Sequence, residues 1–538
     1  MSLRLSNIVK IVLFLFPSLL FGQDRYWVFF EDKDEAIESF QFSDFLSSAS
    51  LQRRAEQEID IHINDFPVSL SYINEIKDLG FEVYRSSRWL NAISVIIEHK
   101  NDLVLISELD FVSKIKKVKS YYRRAIVDEV GFDQKVVANS YGPSYGQIAQ
   151  LNGHLVHEQG HKGQGIIIAV MDASFYRVDD LRMFDSLWTN NQILDTWDFV
   201  LNQELNYDID TIGYHGTMVL SCMGGNMQDS LIGTAPNASY MLFRTEDTSS
   251  ETLTEEDNWV AAAEQADALG AHVINTSLGY SNLTDDPENT HTYSDMDGNT
   301  TVITIAADIA ASKGMLVVNS AGNSGGSEWY YITAPADGDS VLTIGAIGAD
   351  SVLTSFSSHG PTADGRMKPN VVAQGLYSVV CNLEDGIRTA NGTSFSSPII
   401  AGMAASVWSA MPEVSSMDLF NLIQESGHLF PEGNNDYGYG VPNFYELLQY
   451  VSIDDEFVNS KSVYPNPFEN YIMVDLSVFE NSEKIELTVF NHLGQLVYFN
   501  TVQSNDYYRI EIDGALPKAF YILNAKQRNK EYYWKIVK

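Results

Sequence analysis

Three residues of this chain have the types and surroundings of a nucleophilic site. Asp172 ends an apolar run, His215 precedes Gly-Thr-Met, and Ser394 lies within Gly392-Thr-Ser-Phe-Ser-Ser-Pro398. A serine hydroxyl becomes a strong nucleophile when a histidine accepts its proton and a carboxylate orients that histidine. A helix that starts beside Ser394 offers unpaired N–H groups to a developing oxyanion. Together the three residues predict acyl-transfer chemistry.

Each residue also has an ordinary structural interpretation. Ser394 and Asp172 are types that commonly cap helices, and Pro398 suits a first helical turn. His215 could be a hydrogen-bonded interior histidine. The occurrence of all three in one predicted domain, in the order Asp, His, Ser, favours the catalytic interpretation over three separate structural ones.

The elements that must position these residues form a repeating pattern between residues 163 and 448. Near-continuous apolar runs alternate with helical stretches, and they include Gly165–Val170, Ser239–Arg244, Val273–Ser277, Met315–Asn319 and Val341–Ile347. This pattern predicts an α/β domain with a doubly wound, mostly parallel sheet covered on both faces. Ligands of such sheets bind beyond the carboxyl ends of the strands, where the polar residues lie.

Two smaller domains are predicted on either side. Strands and helices alternate from Tyr26 to Val118, which indicates a small α+β domain. From Val463 to Lys538 short strands and turns follow one another without helices, which indicates a small β-sandwich. An acidic linker, 451–462, precedes it.

Composition limits the class of protein. The 538 residues carry a net charge of −37, which argues against nucleic acid as a partner because phosphate binding needs clustered Lys and Arg. Arg4 and Lys10 precede a short apolar core, so residues 1–22 are predicted to be a signal peptide, with no transmembrane span after its removal. The two cysteines, Cys222 and Cys381, could form one disulfide or remain buried thiols.

The motifs around the three residues resemble those of the subtilisin-like serine proteases, the subtilases. The matching segments are Gly165-Ile-Ile-Ile-Ala-Val-Met-Asp172, His215-Gly-Thr-Met-Val219, Gly392–Pro398 and Asn319-Ser-Ala-Gly-Asn323. The resemblance implies that Asp172 orients His215, that His215 is the general base, and that Ser394 attacks. It further implies that Asn323 donates to the oxyanion and that substrate lies along Ser277, Leu278, Gly279, Ser320, Ala321 and Gly322.

The resemblance also implies an organisation for the whole chain. Residues 23–120 are similar to subtilase propeptides, which inhibit until removed, and 121–140 would be the processing region before a peptidase domain at 141–450. Residues 463–538, with Tyr464-Pro-Asn-Pro-Phe468, resemble a type IX secretion sorting domain. The expected partners are therefore protein or peptide substrates, the chain's own propeptide and the type IX secretion machinery. The expected location is outside the cell or on its outer surface, reached through the periplasm.

Some positions depart from the family pattern. Ala173, Phe395 and Gln374 stand where a small hydroxyl residue, methionine and proline are usual. None of them removes a reacting group, so the departures bear on substrate preference. No cofactor is expected to be required. A weak candidate site for structural calcium is Asp295, Asp297 and Asn299, against the alternative of a solvated acidic loop.

Two other functions remain open at this point. The chain could be an inactive surface-binding protein on a subtilase scaffold, or a peptide ligase or cyclase that uses the same acyl-enzyme. The first alternative requires a lost triad residue, and the sequence retains all three.

Overall fold

A computed structural model describes residues 24–33, 40–118, 139–208, 213–247, 254–281, 290–448 and most of 463–538. The predicted signal peptide, nearly all of the processing region and the linker 451–462 lie outside these residues. None of the described helices is long and apolar enough to cross a membrane.

The N-terminal domain has the predicted α+β architecture. Its strands form one antiparallel sheet in the order β2-β3-β1-β4. One face of this sheet packs on α2 and α3 through Ile76 and Ile106. The elements are β1 (Asp24–Phe30), α1 (Ser48–Glu56), α2 (Leu70–Asp78), β2 (Glu82–Ser87), β3 (Ala92–Ile97), α3 (Leu103–Ser107) and β4 (Val112–Val118).

The central domain is built on a seven-stranded parallel sheet, in the order β13-β12-β11-β10-β5-β9-β6. The elements as far as α9 are α4 (Tyr145–Ala149), α5 (Gly153–Glu158), β5 (Ile167–Asp172), α6 (Asp185–Thr189), β6 (Ile193–Asp198), α7 (His215–Gly224), β7 (Asn226–Met227), β8 (Leu231–Ile232), β9 (Ser239–Arg244), α8 (Thr254–Leu269), β10 (Val273–Thr276) and α9 (Val302–Ser312). The remaining elements are β11 (Leu316–Ser320), β12 (Val341–Ile347), β13 (Val371–Gln374), β14 (Ser378–Cys381), β15 (Ile387–Ala390), α10 (Thr393–Trp408) and α11 (Ser416–Glu425).

Both faces of this sheet are buried, as predicted. Along β5, Ile168 and Val170 point into the core that contains α7 and α10, while Ala169 and Met171 point into the core that contains α8 and α9. This alternation follows from the two-residue period of a strand. Strand β6 and the β14–β15 hairpin were not predicted from the sequence.

The N-terminal domain docks on the second of these cores. Trp27 and Trp89 bury their rings against α8 and α9. Beside them, the buried carboxylate of Asp267 accepts from Arg53 at 2.5 Å, Arg54 at 2.8 Å and Arg88 at 3.0 Å. An apolar contact with a buried ion cluster at its edge therefore joins the two domains.

The C-terminal domain confirms the predicted β-sandwich. One sheet has the order β16-β17-β20 and the other β19-β18-β21-β22, with a single apolar core between them. The strands are β16 (Val463–Tyr464), β17 (Tyr471–Asp475), β18 (Ile485–Asn491), β19 (Leu496–Val502), β20 (Tyr507–Glu511), β21 (Phe520–Gln527) and β22 (Lys530–Val537).

The two cysteines are buried free thiols. Burial raises the pKa of both, to about 12 for Cys381, so neither carries a reactive thiolate at neutral pH.

Candidate active site

Asp172 and His215 form a hydrogen-bonded pair at the carboxyl end of the sheet. Asp172 is the last residue of β5 and is fully buried, and its Oδ1 accepts from His215 Nδ1 at 2.8 Å. The same oxygen accepts from the Ala173 backbone N–H at 2.7 Å. Because a carboxylate only accepts, Nδ1 carries the imidazole proton and Nε2 is left with a lone pair when the ring is neutral.

The close approach of α7 to β5 depends on the glycine after the histidine. A Cβ at Gly216 would lie 2.4 Å from the Ser174 carbonyl oxygen and 3.0 Å from the Asp172 Cβ. Thr217 Oγ1 donates to the Tyr176 carbonyl at 2.8 Å and holds the first turn of α7 against the same loop. The Gly-Thr that follows His215 therefore sets the distance between the imidazole and its carboxylate.

Ser394 lies inside the first turn of α10, two positions further in than predicted, because the sequence pattern places it directly before the helix. The helix begins at Thr393, with Gly392 as its N-cap residue, and it includes Pro398. Ser394 Oγ donates to the Ser277 carbonyl at 3.4 Å, and Ser277 Oγ donates to the Ser394 carbonyl at 2.9 Å. The nucleophile candidate is thus held against the segment that follows β10.

Phe395 connects the serine helix to the histidine. Helices α7 and α10 pack against each other, and the Phe395 ring lies 5.9 Å from the His215 ring, centroid to centroid. The ring is buried in the core that both helices share. The bulky residue therefore supports the imidazole from the protein interior.

Asn323 is oriented by a residue beside the serine. Its side-chain oxygen accepts from the Thr393 backbone N–H and from Thr393 Oγ1, both at 2.9 Å. Two donors on Oδ1 direct the amide nitrogen away from Thr393, on an exposed side chain. This nitrogen is available to an oxyanion, and the role of Thr393 in holding it was not predicted.

The expected substrate segments lie next to Ser394. Residues 277–279 continue from β10, and 320–322 follow β11, its neighbour in the sheet. The Leu278 carbonyl accepts from Asn319 Nδ2 at 3.3 Å and from Ser320 Oγ at 3.4 Å, which ties the segments together. They form two adjacent walls beginning at the serine.

The carboxylates of the calcium candidate accept hydrogen bonds from their own loop. Asp295 Oδ2 accepts from the Thr292 backbone N–H at 2.8 Å, and Asp297 accepts from Asn299 N and Thr300 Oγ1, both at 2.9 Å. These oxygens cap local turns. Within the described residues no group of three or more His, Cys, Asp or Glu side chains could hold a metal ion.

The family model described as "Subtilase family" matches residues 163–440, which is just over half of the chain and includes all three candidate catalytic residues. The chain belongs to the subtilase family. Two further models match on either side: "Peptidase S8 propeptide domain, Bacteroidota" at residues 25–129, and "Secretion system C-terminal sorting domain" at 462–538. These matches confirm the propeptide and the sorting domain, and the latter indicates a secreted or cell-surface protein.

Several named subtilases are similar to this one. The chain is 29% identical to the "Thermophilic serine proteinase" of Bacillus sp. (strain AK1) over 297 residues, which cover 54% of this chain and 63% of that protein. It is 28% identical to "Subtilisin-like protease SBT6.1" of Arabidopsis thaliana over 271 residues, 48% of this subtilase and 24% of the relative. It is 26% identical to "Subtilisin E" of Bacillus subtilis (strain 168) over 381 residues, 70% and 85% of the two chains. This subtilase therefore spans less than two thirds of the first two relatives.

Proposed function

We propose that this subtilase is a secreted serine endopeptidase that hydrolyses peptide bonds through an acyl-enzyme. The observation that carries the proposal is the Asp172–His215 hydrogen bond of 2.8 Å, on an α7 helix that packs against the helix bearing Ser394. Family membership and the names of the proteinase relatives support it.

Each residue has a defined role in the proposed reaction. His215 Nε2 accepts the Ser394 hydroxyl proton as Oγ attacks the substrate carbonyl, and it later gives that proton to the leaving amine. Asp172 stabilises the imidazolium that forms. The Asn323 amide and the Ser394 N–H donate to the oxyanion in the tetrahedral intermediate. No cofactor takes part in these steps.

Substrate binding is proposed to use the walls beside the serine. The segment of Ser277, Leu278 and Gly279 would pair with an extended peptide as an added strand. Ser320, Ala321 and Gly322 would line the opposite side of the same cleft. The peptide carbonyl would then lie between Ser394 Oγ and the Asn323 amide.

The chain is proposed to be made as an inactive precursor. Its propeptide, 23–120, would inhibit the peptidase domain, 141–450, until cleavage between Lys119 and Gly142. The ion cluster around Asp267 and the buried Trp27 are contacts that hold the propeptide domain in place. The sorting domain, 463–538, would be recognised by the type IX secretion machinery.

Casein hydrolysis by matched serine variants tests the proposal. Ser394→Ala should abolish hydrolysis. Ser396→Ala is the control, since Ser396 lies in the same helical turn, is buried and donates to the Thr393 carbonyl at 3.0 Å. Full activity in the Ser394→Ala protein would show that another residue is the nucleophile.

The products separate the proposed function from its alternatives. Hydrolysis adds one water to the summed mass of the fragments, whereas a ligase or cyclase yields joined peptides with no water gained. An inactive scaffold would release no product and would not react with a fluorophosphonate.

A further inference from the structure

Two walls of the substrate cleft are attached to the first turn of the serine helix. The first wall starts at Ser277, whose carbonyl accepts from Ser394 Oγ at 3.4 Å. The second ends at Gly322, whose N–H donates to Thr393 Oγ1 at 3.2 Å. The side chain on the amino side of a scissile bond held at Ser394, the P1 residue, would enter the space between them, the S1 pocket.

The Thr333 side chain fills the far end of this space. A Cβ at Gly279, on the first wall, would lie 2.1 Å from Thr333 Oγ1. A Cβ at Gly322, on the second wall, would lie 3.1 Å from the same oxygen and 3.4 Å from Thr333 Cγ2. The threonine therefore contacts both walls, and at Gly279 only glycine leaves room for it.

The backbone around Thr333 cannot easily withdraw. Its neighbour Ala334 is paired with Tyr280 by two backbone hydrogen bonds of 2.9 and 3.0 Å, which continue from the first wall. Ile332 donates to the His359 carbonyl at 2.9 Å and packs with Ala321 and Ala336 in a fully buried cluster. Thr333 thus forms a rigid floor instead of a mobile flap.

The hydroxyl of this floor residue is buried but unsatisfied. Thr333 is 4% exposed, and its Oγ1 has no hydrogen-bond partner among the described residues. Leaving such a group unpaired costs about 1–3 kcal/mol. A small polar group of a bound substrate could relieve that cost by hydrogen bonding to it.

We propose that Thr333 is the specificity-determining residue of this subtilase, closing the S1 pocket so that it accepts small P1 residues such as Ala and Ser and rejects large aromatic ones. The inference rests on the proposed function, because it assumes that Ser394 attacks the P1 carbonyl and becomes acylated. The volume and the polarity of the Thr333 side chain have separate effects. Its volume excludes Phe from the pocket, and its hydroxyl favours Ser over Ala at P1.

The test uses processed enzyme from the full chain, with active sites counted by fluorophosphonate titration. The substrates are succinyl-Ala-Ala-Pro-Xaa-p-nitroanilides in which Xaa is Ala, Ser or Phe. In the wild type, kcat/KM for Ala should exceed that for Phe by about 10-fold or more, the scale of discrimination available to a pocket of limited volume. Thr333→Gly should raise kcat/KM for Phe by about 10- to 200-fold and change that for Ala little.

Thr333→Val is the matched variant, because it keeps the volume and removes only the hydroxyl. It should retain the preference for Ala over Phe and lower kcat/KM for Ser relative to Ala by about 5-fold or more, the worth of a single hydrogen bond. Loss of the preference against Phe in this variant would contradict the volume argument.

Different results would overturn the proposed function and the role of Thr333. Enzyme that does not react with the fluorophosphonate would overturn the proposed function itself. Enzyme that reacts but cleaves the Phe substrate as efficiently as the Ala substrate would overturn only the role of Thr333, and this comparison needs no variant to fold.

Discussion

Ser277 and Ser394 exchange hydrogen bonds in both directions: Ser277 Oγ donates to the Ser394 carbonyl at 2.9 Å, and Ser394 Oγ donates to the Ser277 carbonyl at 3.4 Å. The first bond has a local cause. In a regular helix the Ser394 carbonyl would accept from the N–H four residues later, but that residue is Pro398, which has none. The Ser277 hydroxyl supplies the missing donor and couples the serine helix to the substrate wall.

This exchange predicts a coupling between Ser277 and Pro398. Ser277→Ala should lower the free energy of unfolding by about 1–3 kcal/mol, because it leaves a buried carbonyl without a donor. Pro398→Ala restores an N–H at the fourth position, so the same Ser277→Ala change should cost less in that background. A double-mutant cycle by chemical denaturation, with Ser394→Ala throughout to prevent autolysis, measures the coupling. Equal costs in the two backgrounds would contradict the explanation.

The Asp172–His215 hydrogen bond predicts a large loss of kcat when the negative charge of Asp172 is removed. Asp172→Asn keeps the side-chain shape but can donate to Nδ1, which favours the wrong imidazole tautomer. We expect kcat to fall by about 10⁴-fold, the size of this effect in a serine protease triad. Steady-state kinetics on a p-nitroanilide substrate measure it, with circular dichroism to confirm folding. A fall of less than about tenfold would mean that Asp172 does not orient the catalytic histidine.

The hydrogen bonds between Thr393 and Asn323 predict that variants at these two positions lower kcat to different extents. Asn323→Ala should lower kcat by about 10²–10³-fold with little change in KM, a figure that comes from the corresponding donor in subtilisin. Thr393→Val removes one of the two donors to Asn323 Oδ1 and keeps the backbone N–H, so its loss of kcat should be smaller. If Thr393→Val were the more damaging variant, Asn323 would not be the main donor.

The interface with the propeptide predicts that the affinity between propeptide and peptidase domain depends on pH through the carboxyl group of Asp257. Burial raises the pKa of this carboxyl to about 7 and Glu256 adds to the effect, while Ser94, Arg25 and Trp27 of the propeptide favour the charged form. Once the propeptide leaves, the pKa should return toward about 4. The complex therefore holds a proton that the separated domains release. The affinity for the propeptide should fall about tenfold per pH unit between pH values of about 4 and about 7, and it should level off above about 7.

Dissociation of the processed complex tests this dependence. After the active serine has been blocked with a fluorophosphonate, the fraction of propeptide released on dilution is measured by size-exclusion chromatography from pH 5 to pH 8. Release should increase with pH, and Asp257→Asn should flatten the increase. Asp267→Asn is the control, because it weakens the ion cluster with Arg53, Arg54 and Arg88 and should raise release at every pH. An unchanged slope in Asp257→Asn would exclude this carboxyl as the cause.

The parts of the site that can be predicted from the sequence are those set by local pattern. Asp172 follows an alternating apolar strand, and parallel strands place their carboxyl ends at one edge, so its location followed from the run before it. His215 with Gly and Thr, and Ser394 before a helical stretch, are likewise readable within a few residues. The one local error was the start of α10, because Thr393 and Ser394 have low helix preference and were placed outside it.

The parts that were not predicted depend on contacts between distant segments. Thr333 forms the floor of the cleft only because the segments after β10 and β11 close around it, and nothing in its immediate sequence marks it. The ion cluster at the propeptide interface joins Arg53 to Asp267, 214 positions later. Tertiary packing of this kind leaves no periodic signal in the chain.

Mapping the site of fluorophosphonate labelling on the processed enzyme by peptide mass spectrometry tests whether Ser394 is the activated nucleophile. We expect a single adduct on the peptide that contains Ser394, and loss of labelling in His215→Ala, because only a serine activated by that histidine reacts readily. An adduct on a different serine, or an unchanged labelling rate in His215→Ala, would contradict the assignment of Asp172, His215 and Ser394 as one catalytic unit.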